Sequence, residues 1–272
     1  MKKRILLILL LVVFAAGCAG TARIRRTEVS ETVREEIVKP ESFFTVGEKF
    51  TYLVAWKGIP VGRATSTIEE LTTFKEYRVY KIVLRARTNK FLSKLFKVDD
   101  TFTTYMDKDM LISRRYEAVI REGRYKKDLV VDYDFKKCLA IYKNLMDGSV
   151  NTLPVEKDVQ DPVSAAYFLR TIPVTVGDKI KINVNLNEKN YRVLGDIEKR
   201  ALVTLPEIGT FEAFLVRPYV KLNGKRQRKG SAWGYLSADR RRLGLFAVVK
   251  VLEIPWIGEV TATLKKVEYL KK

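Results

Sequence analysis

Three pairs of acids are spaced closely enough to act on one bond: Asp99 with Asp100, Asp107 with Asp109, and Asp132 with Asp134. Paired carboxylates can hydrolyse a glycosidic link with no imidazole, one as the acid and the other as base or nucleophile. That matters here because the chain contains no histidine. Its absence removes Ser-His-Asp and Cys-His hydrolysis, histidine metal sites and histidine-based pH switching. The acid pairs themselves have a plainer reading. Asp107 and Asp109 fall in an expected turn, and Asp132 and Asp134 share one face of an expected strand beside Tyr133. No Ser-x-x-Lys motif is defined, and the scattered glycines make no phosphate-cradling loop. We therefore name no catalytic residue and expect neither an enzyme nor a cofactor nor a metal.

The two cysteines, Cys18 and Cys138, cannot build a disulfide framework, a CxxC pair or a cysteine metal cluster. Cys138 lies in an expected strand and turn and reads as a packed or half-packed thiol. Cys18 ends a different pattern. Lys2-Lys3-Arg4 is followed by an apolar run from Ile5 to Phe14, then Ala15-Ala16-Gly17 and the cysteine. Ten apolar residues are too few to span a bilayer as a permanent helix, which takes about 20, but suit the core of a signal peptide. The small residues ending in cysteine resemble the bacterial lipobox, which implies lipidation of Cys18 as the new N-terminus. An ordinary secretory cut near Ala16 is the alternative. Ala19 stands where an aspartate would favour retention at the inner membrane, so the periplasmic face of the outer membrane is expected in a two-membrane host.

The formal charge is +19, and removing Lys2, Lys3 and Arg4 leaves +16 on the remainder. The excess gathers in three places: Lys225, Arg226, Arg228 and Lys229; Arg240, Arg241 and Arg242; and Arg121, Arg124, Lys126 and Lys127. The first two are candidate anion-binding clusters, since crowded cations attract anions at long range. For an exported, anchored chain the partners expected are anionic lipid, lipopolysaccharide or an acidic cell-wall polymer, or an envelope protein complex, and not nucleic acid. Each cation near a membrane adds about 1 kcal/mol toward anionic lipid.

Strands dominate the elements that must carry these residues. After the leader (1–17) and a polar tether (18–42), a β-rich domain is expected over 43–272. Phe50, Tyr52, Val54 and Trp56 alternate with Thr51, Leu53 and Ala55, and Gly58-Ile59-Pro60-Val61-Gly62 turns the chain into a second strand. Further strands are expected at 77–87, 101–105, 111–121, 127–135, 139–142, 179–186, 191–194, 200–205, 210–222, 230–237, 245–254 and 259–270. Asn89 to Phe96 is an apolar and basic stretch, helical if anything. Asp161 and Pro162 open the clearest helix, which Pro173 stops. The fold class is mainly all-β: one strongly curved antiparallel sheet or open barrel, with one or two short helices plugging or flanking it.

Three segments carry a family resemblance. Gly47 to Tyr52 with Trp56 to Gly62, Asp161 to Arg170 with Val176-Gly177-Asp178, and Gly230 to Trp233 with Leu236 to Arg242 are similar to motifs of the bacterial domain of unknown function 3108 family. Ala238-Asp239 stands where that family commonly has an Asp pair. The resemblance implies an exported β-rich protein and supplies no activity. Two functions are expected from the whole: a non-enzymatic module binding a lipid or other anionic amphiphile, with acyl chains in an apolar cavity on a concave face and headgroups at basic loops, a reading motivated by apolar residues on both strand faces, Tyr80, Ile82 and Leu84 among them; alternatively, a structural or assembly lipoprotein docking to an envelope complex.

Overall fold

The computed structural model describes residues 24–25, 44–227, 230–251 and 258–270. The leader, Cys18, nearly all of the tether, Arg228, Lys229 and the expected turn at Pro255-Trp256-Ile257 lie outside them. Sixteen strands form one antiparallel sheet. In chain order they are β1 (Ile24–Arg25), β2 (Glu48–Trp56), β3 (Ile59–Phe74), β4 (Tyr77–Thr88), β5 (Asp99–Asp107), β6 (Ser113–Glu122), β7 (Tyr125–Asp134), β8 (Leu139–Asn144) and β9 (Val150–Pro154), then β10 (Lys179–Leu186), β11 (Lys189–Leu205), β12 (Gly209–Leu222), β13 (Lys225–Arg226), β14 (Gly230–Ser237), β15 (Gly244–Val251) and β16 (Gly258–Tyr269). One helix, α1 (Pro162–Leu169), separates β9 from β10.

The first eight long strands form a meander from β2 to β9. Strand β16 then returns to lie beside β2 and joins the meander to β11, β12, β14 and β15. The ladder path is open: β9 ends one side, and β1 and β10 both pair with β11 at the other. Side chains bridge the gap. Tyr133 and Tyr142 both donate to Asn185 Oδ1, and Asn190 Nδ2 donates to the Pro154 carbonyl at 2.7 Å. This explains a departure from simple alternation in β10. Ile180, Ile182 and Val184 are buried as their period requires, yet Asn183 and Asn185 on the opposite face are buried too, because β7, β8 and the chain at 156–158 cover them.

Helix α1 fills the curved interior. Asp161 accepts from the Val163 and Ser164 amides, and Ser164 returns a contact to the Asp161 amide, so the orphan N–H groups of the first turn are satisfied. Val163 and Tyr167 then pack with Ile68, Tyr80, Ile82, Leu84, Phe102 and Tyr116. A second core lies between β2, β11, β12 and β14–β16, around Phe50, Val203, Leu215, Tyr235, Leu245 and Leu264.

Two expectations need correction. The strands expected at 191–194 and 200–205 are one strand, β11, whose polar middle is held by β10 and β12 on either side while a bulge between Ile197 and Lys199 absorbs one residue. The concave face carrying Tyr80, Ile82 and Leu84 is not a ligand cavity. Helix α1, Val155 and Val159 pack it. A gap of about 10 Å³ remains beside Tyr116, Ile120, Leu129 and Tyr142, room for one water.

Candidate functional site

The basic clusters expected to bind anions occupy different ends of one strand. Lys225 and Arg226 fold back on Leu222 and Lys221 at the end of β12, whereas Ala238, just before Arg240–Arg242, bonds to the Glu212 carbonyl near its start. Nine residues of strand separate the two places, about 30 Å. Arg226 lies over the Tyr219 ring. Arg241 pairs with Asp239 and reaches over Phe211, and Arg242 reaches over Phe214.

The acid pairs are likewise divided. Asp99 pairs with Arg87 at 2.7 Å and Asp132 with Arg115 at 2.8 Å. Asp107 pairs with buried Arg114 and accepts the Asp109 and Met110 amides. Asp134 accepts the amides of Lys136 and Lys137 in the turn before Cys138, a half-buried free thiol. Ion pairing and turn closure occupy these carboxylates.

What the fold does assemble is a rim at one end of the β2–β9 meander. Asn89 ties the segment after β4 to the β2–β3 hairpin, through its amide to the Val61 carbonyl at 2.8 Å and its Nδ2 to the Pro60 carbonyl at 2.8 Å. The Gly123 amide, in the β6–β7 turn, donates to the Lys97 carbonyl at 2.7 Å. Gly123 has a φ of 56°, and a β-carbon there would stand 3.0 Å from the Phe96 ring, so the turn and the ring are in close contact. The Leu145 amide, after β8, donates to the Asp128 carbonyl of β7 and brings the next turn to the same rim.

Large apolar side chains on this rim face solvent. Phe91 is 79 % exposed, Leu95 78 % and Ile59 64 %, with Phe96, Leu145, Met146 and Val150 also exposed. Exposed apolar groups so gathered are unusual and mark interaction surfaces. The same turns carry cations: Lys57, Arg63, Lys90, Lys94, Lys97, Arg124 and Lys126 are all exposed. The segments 56–63, 89–97 and 123–127 contain no acid. Asp99 and Asp128 are matched by Arg87 and Arg121, and Asp147 accepts from Ser149 and Asn144.

Two acids that no sequence pairing joined lie buried under the rim. Asp100 is the second residue of β5 and Glu122 the last of β6, where it bridges Val98. Asp100 Oδ1 accepts the Arg121 amide at 2.8 Å, while Asp100 Oδ2 and Glu122 Oε1 have no hydrogen-bond partner. Burial is the main force that lifts Asp100 to about 6 and Glu122 to about 7, and the charge of Asp100 lifts Glu122 further.

Elsewhere an open cleft of about 220 Å³ is lined by Glu156, Asn183, Tyr191, Arg192 and Lys221, with Glu156 and Arg192 paired across it at 3.4 Å. Val159 and Val184 line it as well, so its wall is mixed rather than purely polar.

Among solved structures, the chain is similar to a β-barrel-like protein of domain of unknown function DUF1849 from Brucella abortus, at 10 % identity and a TM-score of 0.55, over 84 % of this chain and 99 % of that one. An exported protein, provisionally so described, with a YmcC-like fold from Bacteroides fragilis matches at 9 % identity and a TM-score of 0.30, over 82 % and 96 %. A provisionally described lipoprotein from Parabacteroides distasonis matches at 10 % and 0.32, over 82 % and 96 %. A search among curated proteins finds no match. The model of the family described as protein of unknown function, DUF3108, covers residues 51–265 of this open antiparallel sheet, and the chain belongs to that family.

Proposed function

We propose that this chain is an exported lipoprotein, anchored through acylated Cys18, whose β-domain is a non-enzymatic module that binds the surface of an anionic amphiphile assembly. The observation that carries it is the rim: three strongly exposed apolar side chains on turns that also carry exposed cations and no acid. Burying Ile59, Phe91 and Leu95 in an acyl layer is worth about 2 kcal/mol each, or roughly 6 together. Several cations at about 1 kcal/mol apiece add a comparable amount. With an association cost of at least about 4 kcal/mol, micromolar affinity is the upper bound. The acyl chains are met at the outside of the sheet, since α1, Val155 and Val159 pack against Tyr80, Ile82 and Leu84 inside it.

The test is co-sedimentation of the mature chain, carrying Cys18→Ser, with vesicles of phosphatidylglycerol and phosphatidylcholine. Binding is expected to the mixed vesicles and not to phosphatidylcholine alone. Phe91→Ser with Leu95→Ser should weaken it at least tenfold without changing the melting temperature, because both side chains are exposed. Binding unaffected by that pair would remove the rim from the account. The assembly reading draws on a different feature, the nearly fully exposed edge strand β9. Rescue of a cellular function by rim variants, together with cross-links confined to β9, would favour it.

A further inference from the structure

Asp100 and Glu122 sit where the rim is fastened to the sheet. The Val98–Glu122 bridge and the bond from the Gly123 amide to the Lys97 carbonyl are the links that hold the segment 89–97 against the β6–β7 turn. Two acid side chains buried together, each with an unpartnered oxygen, are a costly arrangement in a sheet end that apolar residues could fill. We propose that the Asp100–Glu122 pair is a proton switch on the rim, with the protonated pair as the state that holds an anionic leaflet strongly. The switch rests on the reading of the rim as a leaflet contact.

Two consequences of ionisation act in the same direction. A neutral pair leaves the net positive charge of the rim undiminished, whereas an ionised pair adds two negative charges at the sheet end that carries it. Two carboxylates in one dry space also repel, which strains the two links to the 89–97 segment. The sign of the linkage is fixed by the upward shifts. The folded chain keeps protons that the unfolded chain has lost above about pH 4, so this end of the sheet is most stable in acid and loosens as pH rises through about 6 to 7.

The groups facing the pair do not cancel this. Asp99 of β5 is matched by Arg87 of β4, and it raises Asp100 rather than lowering it. Arg121 of β6 gives Asp100 its amide but commits its guanidinium to Asp128 of β7. Tyr116 and Tyr125 stay neutral, both pushed upward by burial. Ala86 of β4 stands opposite Asp100. The chain has no histidine, so no side chain with an ordinary ionisation between pH 5 and 8 competes. Asp161 is also shifted upward by burial, but it belongs to the helix cap, with Thr104 and the helix amides as partners.

The experiment measures binding of the mature chain, carrying Cys18→Ser, to phosphatidylglycerol-phosphatidylcholine vesicles at pH 5.5 and 8.0, a range in which the lipid phosphodiester keeps its charge. Binding should be at least fivefold tighter at pH 5.5. Asp100→Asn with Glu122→Gln should bind equally at both pH values, near the tighter level. Glu122→Gln alone, which keeps one acid, should retain a smaller step at lower pH and serves if the double variant is poorly folded by circular dichroism. Binding that needs Phe91 and Leu95 but ignores pH, or a step that survives in the variants unchanged, overturns the switch alone. No binding at either pH overturns the rim reading and the switch with it.

Discussion

Glu48 and Arg170 form the most deeply buried ion pair of the described residues. Arg170 Nη1 and Nη2 donate to the two Glu48 oxygens at 2.6 and 3.0 Å, and its Nε donates to the Arg241 carbonyl at 3.0 Å. The guanidinium also lies over Phe44, Phe50 and Tyr167. Both partners are sealed from solvent, so the pair fastens the end of α1 to the start of β2 rather than meeting a ligand. Removing one partner strands the other charge. Arg170→Met should therefore cost about 3–5 kcal/mol in urea unfolding, and Glu48→Gln a similar amount. A loss below about 1 kcal/mol in both would show that the pair contributes no more than a surface bridge. Arg170 was legible from sequence only as the last residue of a helix, and Glu48 only as the start of a strand. Nothing in a span of 122 residues reveals such a pair, because strand order and curvature decide it. The same holds for Asp100. Its visible neighbour was Asp99, but its structural partner is Glu122, one hairpin away. Adjacent residues in a strand point to opposite faces.

At the scale of elements, alternation and turn chemistry revealed most of the sheet. Lys179–Leu186 and Gly230–Ser237 have the bounds that their patterns require, and Asp161-Pro162 opens α1 as capping rules demand. Strand β9 was missed because an exposed edge strand carries no apolar face, and β13 because two basic residues read as a turn. The β2–β3 hairpin has a shorter turn than the one expected at 58–62: the chain reverses at Lys57-Gly58, and Ile59, Pro60 and Gly62 already pair with β2 as the start of β3. Its Gly62 lies so close to β4 that a β-carbon would stand 2.3 Å from the Arg87 carbonyl oxygen. Gly62→Ala must push the two strands apart, and about 1–3 kcal/mol of stability should be lost. Gly58→Ala, by contrast, meets no atom within 4 Å and suffers only from its φ of 80°. Thermal melts of the two variants compare crowding with backbone strain directly. A Gly62 variant as stable as the parent would mean that β3 and β4 can separate freely.

On the scale of the molecule, charge was legible and grouping was not. The sequence displays three cationic clusters and one apolar-basic stretch as separate features. Folding spreads two of the clusters along β12 and unites the third, through Arg124 and Lys126, with Lys57, Ile59 and the segment 89–97. The meander does this because hairpins return to the same end every second strand. The opposite end, at the β5–β6 turn, also exposes an apolar residue, Met110, at 60 %. That provides an internal reference for the central claim, that the rim enters an anionic leaflet. The most direct measurement places a fluorophore on Phe91→Cys, or on Met110→Cys, of the Cys18→Ser chain and follows quenching by bromine-bearing acyl chains in phosphatidylglycerol vesicles. Strong quenching is expected at residue 91 and little at residue 110. Equal quenching at both positions, or none at residue 91 while the protein is bound, would contradict it.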